Sequence, residues 1–249
     1  MVRLEEYLTD LERVFRFFKA NKDPDGISKL MEMRGYFSKE MRNFLEEYGV
    51  VLLKEGTDVE KLRNLKSNIN LFSEKGNFLL EGRFIIPIKD LTGKVISFVG
   101  WYPDDRKYIT IKTKLFQRNY LLFGMEQLPC ETLFVCEGIF DSLHLRANGF
   151  NAVSVMGADI SIVKREWCRL SSEVWGIPDN DNVGRRTVKN NKWGMPYLVW
   201  YGLRVDVPNS TESISIKDID TLCNFFDVKD VLSNISKNSL NRVINLTNY

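Results

Sequence analysis

The sequence predicts an α/β fold in which a mostly parallel sheet, covered by helices on both faces, follows a smaller antiparallel sheet. After residue 129, short apolar runs such as TLFVC and EVWGIP alternate with helix-like stretches. That alternation is typical of parallel strands connected by helices and buried on both faces. Before residue 129, two β-rich runs flank the turn Leu91-Thr92-Gly93, which predicts an antiparallel hairpin.

The bulk composition is that of an ordinary globular protein. The chain has 249 residues, of which 44% are hydrophobic and 27% charged, with a net charge of +2. Its four cysteines form no Cys-x-x-Cys pair and it has one histidine, so we expect no zinc site. The charged N-terminus and the lack of a long apolar run predict neither a signal peptide nor a membrane span. We therefore expect a protein of the reducing cytoplasm with no membrane partner.

The N-terminal half combines predicted helices with the hairpin. Apolar residues recur at helical spacing from Arg3 to Lys22, and we interpret this helix as a packing element, with docking to a partner as the alternative. Residues 27–50 predict two short helices, with Gly35 ending the first and Ser38 capping the second. Residues 82–118 predict a small antiparallel sheet. That segment carries a net charge of +5 and the remainder −3, which indicates a local basic surface.

The C-terminal half places acidic residues where predicted strands end. We expect four parallel strands, TLFVC, NAVSVM, EVWGIP and LRVDVP, and function gathers at the carboxyl ends of such strands. Six carboxylates follow these runs: Glu137, Asp141, Asp179, Asp181, Asp218 and Asp220. A single Asp-x-Asp is usually a solvated turn, but three acidic clusters at successive strand ends favour a metal site. Hard oxygen ligands suit two or more Mg²⁺ or Mn²⁺ ions, which could activate an attacking hydroxyl and stabilise departing pyrophosphate.

Four short stretches in this half resemble the Toprim family, which includes bacterial-type primases, topoisomerases and several nucleases. Residues 134–141 (FVCEGIFD) resemble its strand, Glu-Gly and helix motif, and residues 155–157 (VMG) its next strand and glycine turn. Residues 179–185 (DNDNVGR) are similar to its Asp-x-Asp motif with a helix-opening glycine. Residues 217–220 (KDID) resemble the final acidic pair of primases. The chain has no Walker-type GxxxxGK, so we expect no ATP-driven helicase module.

The preceding segment resembles the bacterial-type primase branch of that family. The matching stretches are 30–44, 82–90 (GRFIIPIKD), 93–100 (GKVISFVG), 107–108, 115–118 (LFQR) and 122–124 (LFG). The resemblance covers roughly residues 27–225 and implies a DNA-directed RNA polymerase of primase type. It implies metal-dependent synthesis of short RNA primers from ribonucleoside triphosphates on single-stranded DNA. The predicted organisation is an N-terminal helix (1–26), a basic subdomain (27–128), a Toprim metal-binding domain (129–231) and a tail (232–249).

The resemblance also implies roles for individual residues. It implies catalysis by Glu137, Asp179 and Asp181, with Asp141, Asp218 and Asp220 as further metal ligands. It implies nucleic-acid or nucleotide contacts at Arg83, Lys89, Lys107, Arg118, Gly138, Gly157, Gly184 and Arg185. The sequence leaves open whether Glu137 holds a metal or acts as the general base. Trp101 and Thr110 depart from the basic residue and the asparagine that the family usually has at these positions.

The sequence is also compatible with two other functions, and it suggests several partners. The same acidic cluster suits a Toprim nuclease, and a non-catalytic binding module of the replication fork is a further alternative. We find neither a zinc-binding nor a helicase-binding module, so we expect a separate helicase or zinc-binding primase subunit as partner. The Asn- and Lys-rich composition favours a split replication system of a phage, in the cytoplasm of a bacterial cell or infected host.

Overall fold

The computed structural model describes residues 3–65, 69–103, 107–113, 115–199, 204–206, 213–225 and 242–243. These residues divide into two compact units, Met1–Gln117 and Arg118–Tyr249. Within the described part of the chain, no helix combines the length and apolar character that crossing a membrane requires.

The first unit contains an antiparallel sheet with three helices. Its elements are α1 (Leu4–Ala20), α2 (Gly26–Arg34), α3 (Lys39–Tyr48), β1 (Val51–Leu52), β2 (Phe84–Lys89), β3 (Val95–Trp101) and β4 (Tyr108–Thr110). The strand order is β1-β2-β3-β4, and every neighbouring pair is antiparallel. The predicted hairpin is confirmed as β2 and β3. Strand β1 was not predicted because two residues are too few to show an alternating pattern.

Helix α1 packs on this sheet, as its apolar spacing predicts. Leu11, Val14 and Phe18 are fully buried in the core that also contains Phe98 of β3. The rings of Phe18 and Phe98 meet edge to face with their centroids 5.1 Å apart, a favoured geometry for aromatic pairs. The interpretation of α1 as a packing helix is therefore confirmed.

The predicted ends of the next two helices are also confirmed. The Ser38 hydroxyl accepts a hydrogen bond from the Met41 amide at 3.0 Å and so caps the start of α3. Gly35 follows α2 with a φ of 68°, and Gly49 follows α3 with a φ of 94°. Glycine adopts this left-handed conformation without the steric conflict that a Cβ atom introduces.

The second unit is built on a parallel sheet. Its elements are β5 (Thr132–Cys136), α4 (Ile139–Ala147), β6 (Ala152–Ser154), α5 (Ile162–Cys168), β7 (Glu173–Ile177), α6 (Asn182–Lys189), β8 (Leu198–Val199), β9 (Arg204–Asp206), β10 (Ser213–Ser215), α7 (Ile219–Phe225) and β11 (Arg242–Val243). The order β6-β5-β7, with both pairings parallel, confirms three of the predicted parallel strands.

Helices cover both faces of this sheet, as predicted. On one face, Phe134 and Cys136 are buried with side chains of α4 and α7. On the other face, Leu133 and Val135 are buried with side chains of α5 and α6. Successive residues of β5 point to opposite faces, which explains why its apolar run is continuous rather than alternating.

The prediction that LRVDVP is a fourth parallel strand is wrong. Residues 204–206 form β9, which pairs antiparallel with β10 in a separate two-stranded sheet. Beside β7 lies the chain around Tyr197, which forms a parallel bridge with Gly176 and leads into β8. Strand β8 pairs in parallel with β11, so part of the predicted tail 232–249 is a strand; its other residues lie outside the described ones. An apolar run shows that a strand is buried, but it does not identify its neighbour.

The boundary between the two compact units lies between residues 117 and 118, earlier than the predicted boundary between residues 128 and 129. Phe123 bridges antiparallel to Ser154 at the end of β6, with backbone hydrogen bonds of 3.0 and 2.9 Å. Leu122 and Met125 are buried in the core of the second unit. Because these residues lie against β6, the compact unit begins at Arg118.

Gly49 offers a test of this packing with a matched control. A Cβ atom at Gly49 would lie 2.5 Å from Cζ of Phe15, whereas one at Gly56, with a φ of 73°, would meet nothing within 4 Å. We expect Gly56→Ala to lower the free energy of unfolding by about 1 kcal/mol, the backbone cost alone. Gly49→Ala should lower it by about 2–4 kcal/mol, because the steric conflict adds to that cost. Urea unfolding of both variants measures the difference, and equal losses would contradict the packing of Phe15 on Gly49.

Candidate functional site

The acidic residues of the second unit gather where its parallel strands end. Glu137 follows β5, and Asp179 follows the neighbouring strand β7 within two residues. Because these strands run in parallel, their carboxyl ends lie at one edge of the sheet. The Asp179 amide donates a hydrogen bond of 3.3 Å to Oε1 of Glu137, which joins the two strand ends directly.

Two glycines allow the backbone to approach these carboxylates closely. The Gly138 amide donates to Oδ2 of Asp141 at 3.0 Å, and a Cβ atom at Gly138 would lie only 2.4 Å from that oxygen. Gly184 lies in the first turn of α6, where a Cβ atom would lie 1.8 Å from the carbonyl oxygen of Asp179. A side chain at Gly184 would therefore collide with the backbone, and one at Gly138 would displace the Asp141 carboxylate.

Asp181 and Asp218 each occupy the start of a helix. Oδ1 of Asp181 accepts from the amides of Val183 and Gly184 at 2.8 and 2.9 Å, so Asp181 caps α6. Oδ1 of Asp218 accepts from the amide and hydroxyl of Thr221 at 2.7 and 2.5 Å, at the start of α7. These contacts use one oxygen of each carboxylate.

Asp141 and Asp220 are turned into the protein. Oδ1 of Asp141 accepts from the Asp220 amide at 3.1 Å, and its other oxygen accepts from Gly138. Oδ1 of Asp220 lies 3.0 Å from Nδ1 of His144 on α4, and both side chains are buried. The structure thus engages these two carboxylates in contacts between α4 and α7.

The remaining four carboxylates, Glu137, Asp179, Asp181 and Asp218, are here called the acidic edge. Among the described residues, each keeps at least one oxygen without a hydrogen-bond partner. Asp179 uses neither of its side-chain oxygens in a described hydrogen bond. The acidic edge therefore presents carboxylate oxygens to which no described residue donates a hydrogen bond.

Burial and mutual repulsion raise the pKa values at this edge. Burial, followed by the charge of Asp179, raises the pKa of Glu137 to about 7. Burial, followed by the charge of Asp218, raises the pKa of Asp179 to about 6. Burial and the charge of Asp218 also raise the pKa of Asp141. Lys217 opposes this effect at Asp179, but it does not cancel it. The site therefore holds an excess of negative charge.

The chemistry of these ligands fits a hard divalent cation, although no closed cage is present. Within the described ranges, no three His, Cys, Asp or Glu side chains lie close enough together to surround an ion. Mg²⁺ is commonly held by one or two carboxylates, with waters and substrate phosphates completing its shell. An open edge of carboxylates with unused oxygens and excess negative charge suits that mode of binding.

The basic residues expected to contact nucleic acid are divided between the units. In the first unit, Arg83 donates to the Lys107 carbonyl at 3.4 Å, and its guanidinium lies 5.2 Å from the centre of the Tyr102 ring. Lys89 lies 4.1 Å from the centre of the Tyr48 ring. Arg83 and Lys89 thus make cation–π contacts with aromatic rings. The Lys107 side chain is exposed.

In the second unit, the other predicted contact residues surround the acidic edge. The guanidinium of Arg118 donates to the carbonyl of Met156, and the Gly157 amide donates to the Glu137 carbonyl at 3.2 Å. Arg185 lies exposed on α6, directly after Gly184. Arg118 therefore contacts the turn after β6, and Gly157 of that turn is hydrogen-bonded to the backbone of Glu137.

Trp101 is a core residue of the first unit. It is buried against Phe84, with ring centroids 5.8 Å apart, and the guanidinium of Arg34 lies 5.6 Å from its ring centre. A cation is thus retained beside the position where the family usually has a basic residue. Thr110 lies half-buried at the end of β4.

Two residues of the site were not singled out in the sequence. His144 lies three residues after Asp141, the spacing that places two side chains on one face of a helix, and this spacing could have indicated it. Asn180 lies between Asp179 and Asp181, and its contacts with residues 216 and 217 leave no local signal in the sequence.

Comparison with known proteins finds similarity to DNA primases. Residues 28–129 match the family model of the DNA primase catalytic core, N-terminal domain. The DNA primase of Aquifex aeolicus is 28% identical to this chain over 220 residues, which cover 81% of this chain and 43% of that primase. The chain therefore spans less than half the length of this relative.

Solved structures have the same fold. The zinc-binding and RNA polymerase domains of Aquifex aeolicus primase superpose with a TM-score of 0.66 at 22% identity, over 92% of this chain and 60% of that chain. A primase catalytic domain bound to single-stranded DNA superposes with a TM-score of 0.60 at 21% identity, over 88% of this chain and 76% of that chain. The predicted fold class is confirmed by these similarities.

The raised pKa of Glu137 predicts a pH-dependent stability. In the unfolded chain this carboxyl loses its proton near its ordinary pKa of 4.5, whereas in the folded protein it keeps it to about 7. The folded state therefore binds more protons between these values, and the free energy of unfolding falls as pH rises through that window. Glu137→Gln cannot ionise, so it should reduce this fall.

The measurement is chemical unfolding between pH 5 and 8 in EDTA, compared with the parent protein. Because solvent partly screens this side chain, we expect Glu137→Gln to be more stable than the parent by about 1–2 kcal/mol at pH 8. Glu131→Gln, at the exposed amino end of β5, is the matched control and should follow the parent. A pH dependence of Glu137→Gln equal to that of the parent would show that the Glu137 carboxyl is not perturbed.

Proposed function

We propose, from its resemblance to the DNA primase catalytic core in sequence and fold, that this chain synthesises short RNA primers on single-stranded DNA. The observation that carries the proposal is the acidic edge, whose four carboxylates each keep an oxygen without a hydrogen-bond partner among the described residues. The similarity to the Aquifex aeolicus DNA primase, which covers 81% of this chain, supports assigning that edge to nucleotidyl transfer. The reaction joins a primer 3′-hydroxyl to a ribonucleoside triphosphate and releases pyrophosphate.

The acidic edge would hold Mg²⁺ or Mn²⁺, and two or more ions fit the number of carboxylates. Asp179, Asp181 and Asp218 are the proposed ligands, because each keeps an oxygen without a described partner. We also keep Asp141 and Asp220 as candidate ligands of a further ion, although their described contacts are internal. When bound, the ions would neutralise charge on the triphosphate and on the attacking oxygen.

Glu137 combines two suitable properties. Its Oε2 is available to an ion, since only Oε1 has a described hydrogen bond. Its pKa of about 7 also suits it to accept the proton of the attacking hydroxyl near neutral pH. Gly138 and Gly184 support this role by letting the backbone approach Asp141 and Asp179 closely.

The basic residues would hold the nucleic-acid and triphosphate phosphates. Arg83, Lys89 and Lys107 on the first unit are the proposed template contacts, because phosphate binding needs cations but little sequence preference. In the second unit, Arg118, Gly157 and Arg185 would serve the nucleotide, since they adjoin the acidic edge. The similar fold of a primase domain bound to single-stranded DNA supports that template.

The proposal extends to partners and location. A separate helicase and a zinc-binding primase subunit are the proposed partners, and the similar Aquifex aeolicus structure includes a zinc-binding domain. The proposed location is the cytoplasm of a bacterial cell or of its phage-infected counterpart.

Primer synthesis tests the proposal directly. Labelled ribonucleotides, single-stranded DNA and Mg²⁺ or Mn²⁺ should yield short oligoribonucleotides. Asp179→Asn keeps the size of the side chain but removes its charge, so product should fall at least about a hundredfold. The matched control is Asp58→Asn, at an ion pair of 3.4 Å with Lys61 in the first unit, which should leave synthesis unchanged.

The same gel separates the alternative functions. End-labelled DNA in a parallel lane reports cleavage, so metal-dependent shortening of the DNA without RNA product would identify a nuclease. Equal product from Asp179→Asn and the parent would exclude the acidic edge as the source of the activity. A parent protein that binds DNA but makes and cuts nothing would point to a binding module.

A further inference from the structure

The segment that carries Asp218 and Asp220 comes to the acidic edge from a separate sheet. It follows β10, which pairs antiparallel with β9, whereas Glu137 and Asp179 follow strands of the parallel sheet. The hydrogen bonds of the parallel sheet therefore do not set the position of residues 216–221. Other contacts must determine where these two carboxylates lie.

Apolar burial draws the segment towards the sheet. Ile216, Ile219 and Leu222 are buried in one core with Phe134 and Trp175 of the parallel strands. Burial of this kind is strong but non-directional, so it does not by itself orient polar side chains. The orientation of Asp218 and Asp220 depends on directional hydrogen bonds.

Asn180 supplies two such hydrogen bonds. Its amide donates to the Lys217 carbonyl at 2.5 Å, and its side-chain Nδ2 donates to the Ile216 carbonyl at 3.2 Å. Asn180 lies between Asp179 and Asp181, so a single residue ties the loop after β7 to the two carbonyls that precede Asp218. After burial, the charge of Asp218 is the next cause of the raised pKa of Asp179.

His144 holds the other end of the segment. It is the one histidine of the chain, and its Nδ1 lies 3.0 Å from Oδ1 of Asp220 in a buried pair. The Asp220 amide is held in turn by Asp141. A buried carboxylate needs such partners, so Asp220 is retained against α4.

We infer that Asn180 and His144 are positioning residues that dock residues 216–221 so that Asp218 joins the acidic edge while Asp220 is retained against α4. Neither residue is assigned as a metal ligand or as a contact of the substrate. The inference rests on the proposed function for the identity of the ion. Removal of comparable supporting contacts around metal ligands typically weakens metal binding by about 10–100-fold.

The variants are chosen to separate positioning from general damage. Asn180→Ala removes the side-chain amide, and His144→Leu removes the contact with Asp220. His144→Asn is the conservative variant, because its amide nitrogen is as many bonds from the backbone as Nδ1 of histidine. Asn151→Ala is the matched control, since Nδ2 of Asn151 donates to the Thr132 carbonyl at 3.4 Å at the amino end of β5.

The first measurement is hydrogen–deuterium exchange of the metal-free protein. We expect Asn180→Ala and His144→Leu to raise exchange in peptides that cover residues 213–225. His144→Asn should restore protection, and Asn151→Ala should leave these peptides unchanged. Unchanged exchange in both Asn180→Ala and His144→Leu would overturn the docking role.

The second measurement is Mn²⁺ affinity by titration calorimetry on the same variants. We expect Asn180→Ala and His144→Leu to bind Mn²⁺ about tenfold more weakly than the parent, and the other two variants to bind as the parent does. Raised exchange with unchanged Mn²⁺ affinity would overturn the link to the acidic edge. If the parent binds no Mn²⁺ and makes no primers, the proposed function fails, and the exchange results still decide the docking.

Discussion

Repulsion between carboxylates is the constraint that the second unit must accommodate at the ends of its parallel strands. Burial, followed by the charge of Asp179, raises the pKa of Glu137, and burial, followed by the charges of Asp218 and Asp181, raises the pKa of Asp179. Several negative charges in a partly buried site are unfavourable unless hydrogen bonds or positive charges offset them. The structure uses two means, backbone amides at the starts of α6 and α7 and a buried contact with His144.

The six carboxylates differ in how many of their oxygens accept hydrogen bonds from the protein, and this difference defines the site. Asp141 and Asp220 receive internal partners and so contribute to the packing of α4 against α7. Asp181 and Asp218 each use one oxygen at a helix start, and the other oxygen has no partner among the described residues. The backbone contacts depend on Gly138 and Gly184, where any side chain would collide with Asp141 or Asp179. The result is a set of positioned carboxylates whose excess charge a divalent ion would neutralise.

The first unit has a different arrangement, in which cations lie over aromatic rings. Arg83 lies over Tyr102, and Arg34 lies over Trp101. A ring limits the freedom of a long cationic side chain without neutralising its charge, so the cation stays able to bind phosphate. The tryptophan at position 101 is buried, so the cation beside it comes from α2. This arrangement supports the proposed template surface and gives a structural account of the Trp101 departure.

Elements that depend on local chemistry could be predicted from the order of the residues alone. The hairpin of β2 and β3, the cap at Ser38 and the acidic residues after β5 and β7 all follow from short-range pattern, so they could be predicted. The resemblance to primases was confirmed by similar sequences and folds, and residues 28–129 match the family model.

Which carboxylates have internal partners depends on long-range packing, and local patterns do not show it. Asp218 and Asp220 are equivalent in the sequence, but Asp220 meets a histidine 76 residues away and Asp218 does not. The prediction that LRVDVP joins the parallel sheet was wrong for the same reason. An apolar run indicates a strand, but it does not show which strand pairs with it. Contacts between distant residues depend on how the elements pack, and no local period or spacing contains that information.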